Sequence, residues 1–147
     1  MKNIQERLGF GRIVIGVAIV VIVVGVARYN SASKAGAAED VGRLVGNWSG
    51  DSVCVDRQSA CHDEKVVYRI SGYAGDSTRV KIQADKIVDG KPVTMGVEDY
   101  KIDHELGVLS HEDEHGVWKI TVNGNRLDGT MTVGGAAFRR LSLKKDE

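Results

Sequence analysis

The residues with the most chemistry in their letters are His111-Glu112-Asp113-Glu114-His115, which match the His-Glu-x-x-His pattern of zinc proteases. That chemistry needs a helix, because only a 3.6-residue period brings both histidines to one metal with the glutamate beside it. Here the run sits between Gly107 and Gly116, carries no apolar stripe and leads into a strand around Trp118, so it predicts a charged hairpin. Histidines 104, 111 and 115 then offer only adventitious metal binding, and neither metal nor cofactor is expected. Cys61-His62-Asp63-Glu64 would be a reactive cluster if the imidazole lowered a thiol pKa. A disulfide between Cys54 and Cys61, which enclose six residues, removes that thiol. The spacing matches no common zinc knuckle. Nothing marks a nucleophile elbow or an oriented triad, so no enzymatic activity is expected.

The elements that carry these residues begin after an apolar segment. Lys2, Arg7 and Arg12 precede Ile13 to Ala27, a stretch without a polar side chain. Fifteen helical residues span about 22 Å, and the flanking Arg12, Arg28 and Tyr29 extend that reach toward the roughly 30 Å hydrocarbon core. Residues 1–29 therefore read as a cytoplasmic n-region and a transmembrane signal-anchor helix. The competing reading is a cleaved signal, for which Ala35-Gly36-Ala37 has the right pattern but lies well beyond the apolar run. Positive charge before the segment keeps the amino end inside. The expected location is the inner membrane with the C-terminal domain in the periplasm or outside, or secretion if the signal is cleaved. Such a compartment oxidises thiols, which favours the disulfide. Residues 30–40 are small and polar and read as a flexible linker, leaving residues 41–147 for one domain.

Twenty basic and twenty acidic residues give zero formal charge, so no nucleic-acid partner is expected. With 18 glycines and one proline, turn signals recur along the domain and apolar residues alternate between them. Val66, Tyr68 and Ile70 share one face; Val80, Ile82 and Ala84 repeat the pattern. Val93, Met95 and Val97 have the opposite parity to Tyr100 and Ile102, which predicts a bulge near Glu98 and Asp99. Trp118, Ile120 and Val122 precede an Asn123-Gly124-Asn125 turn. Leu127, Met131 and Val133 follow with Gly129 in register, and Leu141, Leu143 and Arg139 share the inner face of the last strand. With a strand at Trp48 the total is about eight, joined by short connections. Short connections force antiparallel neighbours, and such a meander closes to remove its edges. The fold class is all-β, an eight-stranded antiparallel up-and-down barrel after one N-terminal transmembrane or signal helix. A two-sheet sandwich is the alternative.

Gly46-Asn47-Trp48, following the polar-apolar turn EDVGRLV, resembles the Gly-x-Trp signature that opens the first strand of lipocalins. The domain is similar to the compact lipocalin-like domains of exported bacterial proteins. The resemblance implies that Trp48 packs at the closed end of the barrel beneath an arginine of the last strand. Arg139 fits that barrel-closure role by parity, with Arg140 as the fallback, as a cation-π contact.

Tyr68, Met95, Trp118 and Met131 fall on inward faces, where they can line a small apolar cavity or fill the barrel as core. The function expected is a membrane-tethered extracytoplasmic binding or interaction module, with a small hydrophobic ligand or an envelope protein as partner. Its alternatives are a protein-binding module such as an exported-protease inhibitor, and a metal-dependent enzyme using the histidine cluster.

Overall fold

Period-two alternation broken by turn residues yields eight strands: β1 (Gly46–Cys54), β2 (Glu64–Tyr73), β3 (Asp76–Val88), β4 (Lys91–Asp103), β5 (Val108–Asp113), β6 (Gly116–Asn123), β7 (Arg126–Val133) and β8 (Ala136–Lys145). The computed structural model describes residues 40–57 and 59–147, so the expected membrane helix and most of the linker lie outside the described residues. Among the described residues no helix is long and apolar enough to cross a membrane. Each strand pairs antiparallel with the next, and β8 returns to β1 to close the barrel.

The turns have local causes. Asp89 and Gly90, both at positive φ (51° and 74°), form the two-residue connection of the β3–β4 hairpin. At the β1–β8 seam a Cβ on Gly50 would lie 2.1 Å from the Ser142 carbonyl oxygen, so only glycine lets the two strands meet there.

One end of the barrel is plugged. A short helix, α1 (residues 40–44), turns Val41 and Leu44 into the core. Trp48 is fully buried beneath it and donates its indole N–H to the Leu44 carbonyl at 2.9 Å. Above this end Ile82, Leu109, Ile120, Leu127 and Leu143 fill the middle of the barrel. Burial of these side chains supplies the main drive for closure.

The residue over Trp48 is Lys145 and not Arg139. Lys145 pairs with Trp48, holds its Nζ 5.5 Å from the ring centroid and donates to the Arg43 carbonyl. Antiparallel neighbours run in opposite directions, so the beginning of β1 meets the end of β8. Arg139, at the beginning of β8, pairs instead with Cys54 at the far end. Parity identified the inner face correctly and the height along the axis wrongly.

The β4 bulge is also displaced from its expected place. Ala84 pairs with Gly96 and Asp85 with Thr94, which leaves Met95 as the extra residue. A polar cluster on the outer face pins it there. Asp85 is buried, pairs with the Arg69 guanidinium, and accepts from Thr94 Oγ1 at 2.8 Å and Gln83 Nε2 at 3.0 Å. Beyond the bulge Glu98 takes the inward parity of Tyr100, while Val97 faces outward and is 49% exposed.

Candidate functional site

The end opposite α1 is built differently. Thirteen-residue β4 lies beside six-residue β5, and they pair only from Lys101 to Asp103. Among the described residues, β4 from Lys91 to Tyr100 has no strand on that side. The resulting notch opens the barrel mouth. The cause is the charged run at 111–115, where Asp113 Oδ1 accepts the backbone N–H groups of His115 (2.8 Å) and Gly116 (3.1 Å) and turns the chain. The expected charged hairpin is what forms, with His111 on β5 and His115 in the turn. His104 lies at the other end, with Nε2 2.7 Å from the Ser77 carbonyl oxygen.

Below the notch is a pocket of about 220 Å³, lined by residues of all eight strands. Tyr68, Met95, Trp118 and Met131, chosen from sequence as inward-facing, all line it. So does Arg139. Larger hollows lie beside α1 (about 340 Å³, around Leu44, His104 and Lys145) and on the outer face (about 610 Å³, around Lys119, Asp128 and Arg140). Neither is lined by a buried phenol, so the smaller mouth pocket has the more selective walls.

Two features of the mouth had no place in the sequence reading. The first is a pair of phenols. Tyr68 and Tyr100 are 3% and 4% exposed, line the pocket, and have no hydrogen-bond partner among the described residues. The rings are buried but the hydroxyl oxygens are not among the buried unpartnered atoms, so each opens onto the pocket and keeps donor and acceptor capacity facing it. Burial pushes the Tyr68 hydroxyl up to about 12, with nearby Glu64 adding to the shift and Arg139 opposing it. Burial also raises Tyr100, the Tyr68 hydroxyl adding to it. Both phenols therefore stay protonated across the neutral range.

The second feature is a ring of charge. Arg139 is fixed by four contacts: Nε donates to Ser52 Oγ at 3.0 Å, and Nη2 to the carbonyls of Ser52 (3.3 Å) and His62 (2.7 Å) and to Glu64 Oε2 (3.1 Å). Parity places Glu64 with Val66 and Tyr68, which was the available signal for it. His111 stacks on Tyr100 at a 5.2 Å centroid separation and donates from Nδ1 to the Asp99 carbonyl at 3.0 Å, an acceptor left free where the ladder parts. Its Nε2 faces Asp113 Oδ2 at 3.4 Å and Glu98 Oε2 at 3.8 Å. The backbone N–H of His115, more than the His111 imidazole, holds the Asp113 carboxyl below its ordinary value.

Cys54 and Cys61 lie at disulfide distance beside the mouth, so the cluster at 61–64 carries no free thiol. Asp63 serves the loop instead. It accepts the Cys54 N–H at 2.8 Å and binds Arg57 Nη1 at 2.6 Å, contacts that lower its pKa.

No family model, curated protein or solved structure matches the chain.

Proposed function

We propose that this barrel is a small-molecule binding module whose site is the mouth pocket, held outside the membrane by the segment at residues 1–29. The observation that carries the reading is the gathering of Tyr68, Met95, Trp118 and Met131 around one pocket that also receives Tyr100, whose phenol, like that of Tyr68, has no partner among the described residues. Its volume far exceeds the roughly 10–15 Å³ that admits one water. Flexible methionines and an indole provide apolar contact, and the phenols provide orientation. The lipocalin-like reading gains support from Gly46-Asn47-Trp48 at the plugged end, and the extracytoplasmic placement from the apolar run Ile13 to Ala27 and the cysteine pair.

Native mass spectrometry of the full-length protein, extracted from the membranes of the cell that makes it, tests this. The expected spectrum contains a retained small molecule that Met131→Trp, by filling the pocket, removes. A spectrum of bare protein, or an adduct that survives Met131→Trp, overturns the assignment of the site.

A further inference from the structure

We propose that the ligand of the mouth pocket is a small organic cation, an ammonium or amidinium head on a flat apolar body; this rests on the reading of the mouth as a binding site. Arg139 is answered by Glu64 at 3.1 Å and by the carbonyls of Ser52 and His62, so it is committed to the wall. Glu64 also has Lys86 Nζ at 3.7 Å.

Glu98 and Asp113 differ. Among the described residues neither has a lysine or arginine within ion-pair distance, and both face the single imidazole of His111. One imidazole can neutralise at most one carboxylate. The second imidazole at the mouth, His115, lies 3.8 Å from a third carboxylate, Glu114. Three carboxylates thus face two imidazoles and the rim stays negative however the histidines are protonated, with Glu98 about half exposed and reachable. An anion entering here would meet that charge with no free guanidinium to receive it.

The walls suit a cation as well. Tyr68, Tyr100 and Trp118 bring three aromatic rings to one pocket, and ring faces attract cations, most strongly away from water. The unpartnered Tyr68 and Tyr100 oxygens can accept from an N–H donor, which a purely apolar ligand could not supply. Met95 and Met131 can adapt to the apolar body.

Titration of the full-length protein with benzylammonium, benzyl alcohol and benzoate, followed by NMR of the Trp118 indole and the Tyr68 and Tyr100 rings, tests the proposal. Benzylammonium is expected to move these signals saturably and to bind at least tenfold more tightly than the other two, with the preference shrinking as salt rises. Glu98→Gln combined with Asp113→Asn should abolish that preference. Should the double variant fail to fold, Glu98→Lys alone is expected to shift the preference toward benzoate. If benzyl alcohol or benzoate binds the mouth as well as benzylammonium, the cation assignment is overturned while the binding-site reading stands. Unchanged selectivity in a folded variant overturns the assignment in the same way. If no compound moves the three mouth residues at millimolar concentration, both readings fall.

Discussion

Replacing Trp48 tests the closure of the barrel where its first and last strands meet. The side chain is fully buried, bonds Leu44 through its indole N–H at 2.9 Å and supports Lys145 5.5 Å from its ring centroid. Trp48→Ala removes the contact between α1 and the core and should cost roughly 3–5 kcal/mol. With a urea dependence of about 2 kcal/mol per molar, the unfolding midpoint of the full-length protein falls by about 2 M. Trp48→Phe keeps most of the apolar burial but leaves the Leu44 carbonyl unpaired, a loss of about 1–2 kcal/mol. Lys145→Met should lose about 0.5–1 kcal/mol. Combined with Trp48→Phe it should show coupling of at least about 0.5 kcal/mol, because the side chains touch. Arg139→Met should be additive with Trp48→Phe within about 0.5 kcal/mol. Arg139 pairs six residues further along β1, about 20 Å away at the strand rise. Coupling of Trp48 to Arg139 and none to Lys145 would refute this account of the closure.

The remaining predictions concern the seam, the cysteine loop and the phenols. Gly50→Ala should lose at least about 3 kcal/mol in thermal melts because its Cβ meets the Ser142 carbonyl, whereas Gly42→Ala, with nothing within 4 Å, should be neutral or stabilising by up to about 1 kcal/mol. Equal melting of the two variants would argue against the tight seam. Reducing the Cys54–Cys61 bond should lower stability by about 2–3 kcal/mol, read from urea midpoints with and without reductant; identical midpoints contradict it. Tyr68 should ionise near 12, against an ordinary 10.0. The unfolded chain releases that proton first, so the phenol's contribution to stability is whole below pH 10 and declines as pH climbs toward about 12. Subtracting the phenolate absorbance titration of Tyr68→Phe from that of the wild type isolates this group, and a midpoint near 10 would disprove its burial.

Strand number, antiparallel order and closure were legible in the sequence because each rests on a local regularity: alternation of apolar residues, turn residues and short connections. The inner faces of β2, β3, β6 and β8 follow from Tyr68, Ile82, Ile120 and Leu143 alone. Two things were not legible. Parity says which face a residue occupies but not its height, so Arg139 and Trp48 could be given one face and wrongly given one end. A bulge shifts parity without altering composition. Val93, Met95 and Val97 look like a continuous apolar face, yet the extra residue is Met95, pinned by Asp85, Arg69 and Thr94 brought together across strands. Placing that bulge near Glu98 and Asp99 leaves Glu98 without an assigned face, and so the carboxylate pair at the rim is not visible from the sequence.

The mouth pocket depends on this combination of short-range and long-range causes. The charged run at 111–115 ends β5 after six residues, since Asp113 binds the turn amides and the run offers no apolar side chain to bury. The β4–β5 ladder parts after Ser110 while β5 runs on to Asp113 beside β6, and His111 takes up the Asp99 carbonyl that the parted ladder leaves. Past Asp113 the end of β5 leaves the rest of β4 without a neighbour on that side among the described residues. The same residues whose letters suggest a zinc protease thereby act through hairpin geometry, cutting a notch and setting its charge. Opposite them, α1 and Trp48 close the other end with apolar surface. The barrel is thus polar and open where β5 stops and apolar and plugged where β1 starts, and the proposed route to the interior passes Glu98 and Asp113 at the rim before it reaches Tyr68 and Tyr100, where the core begins.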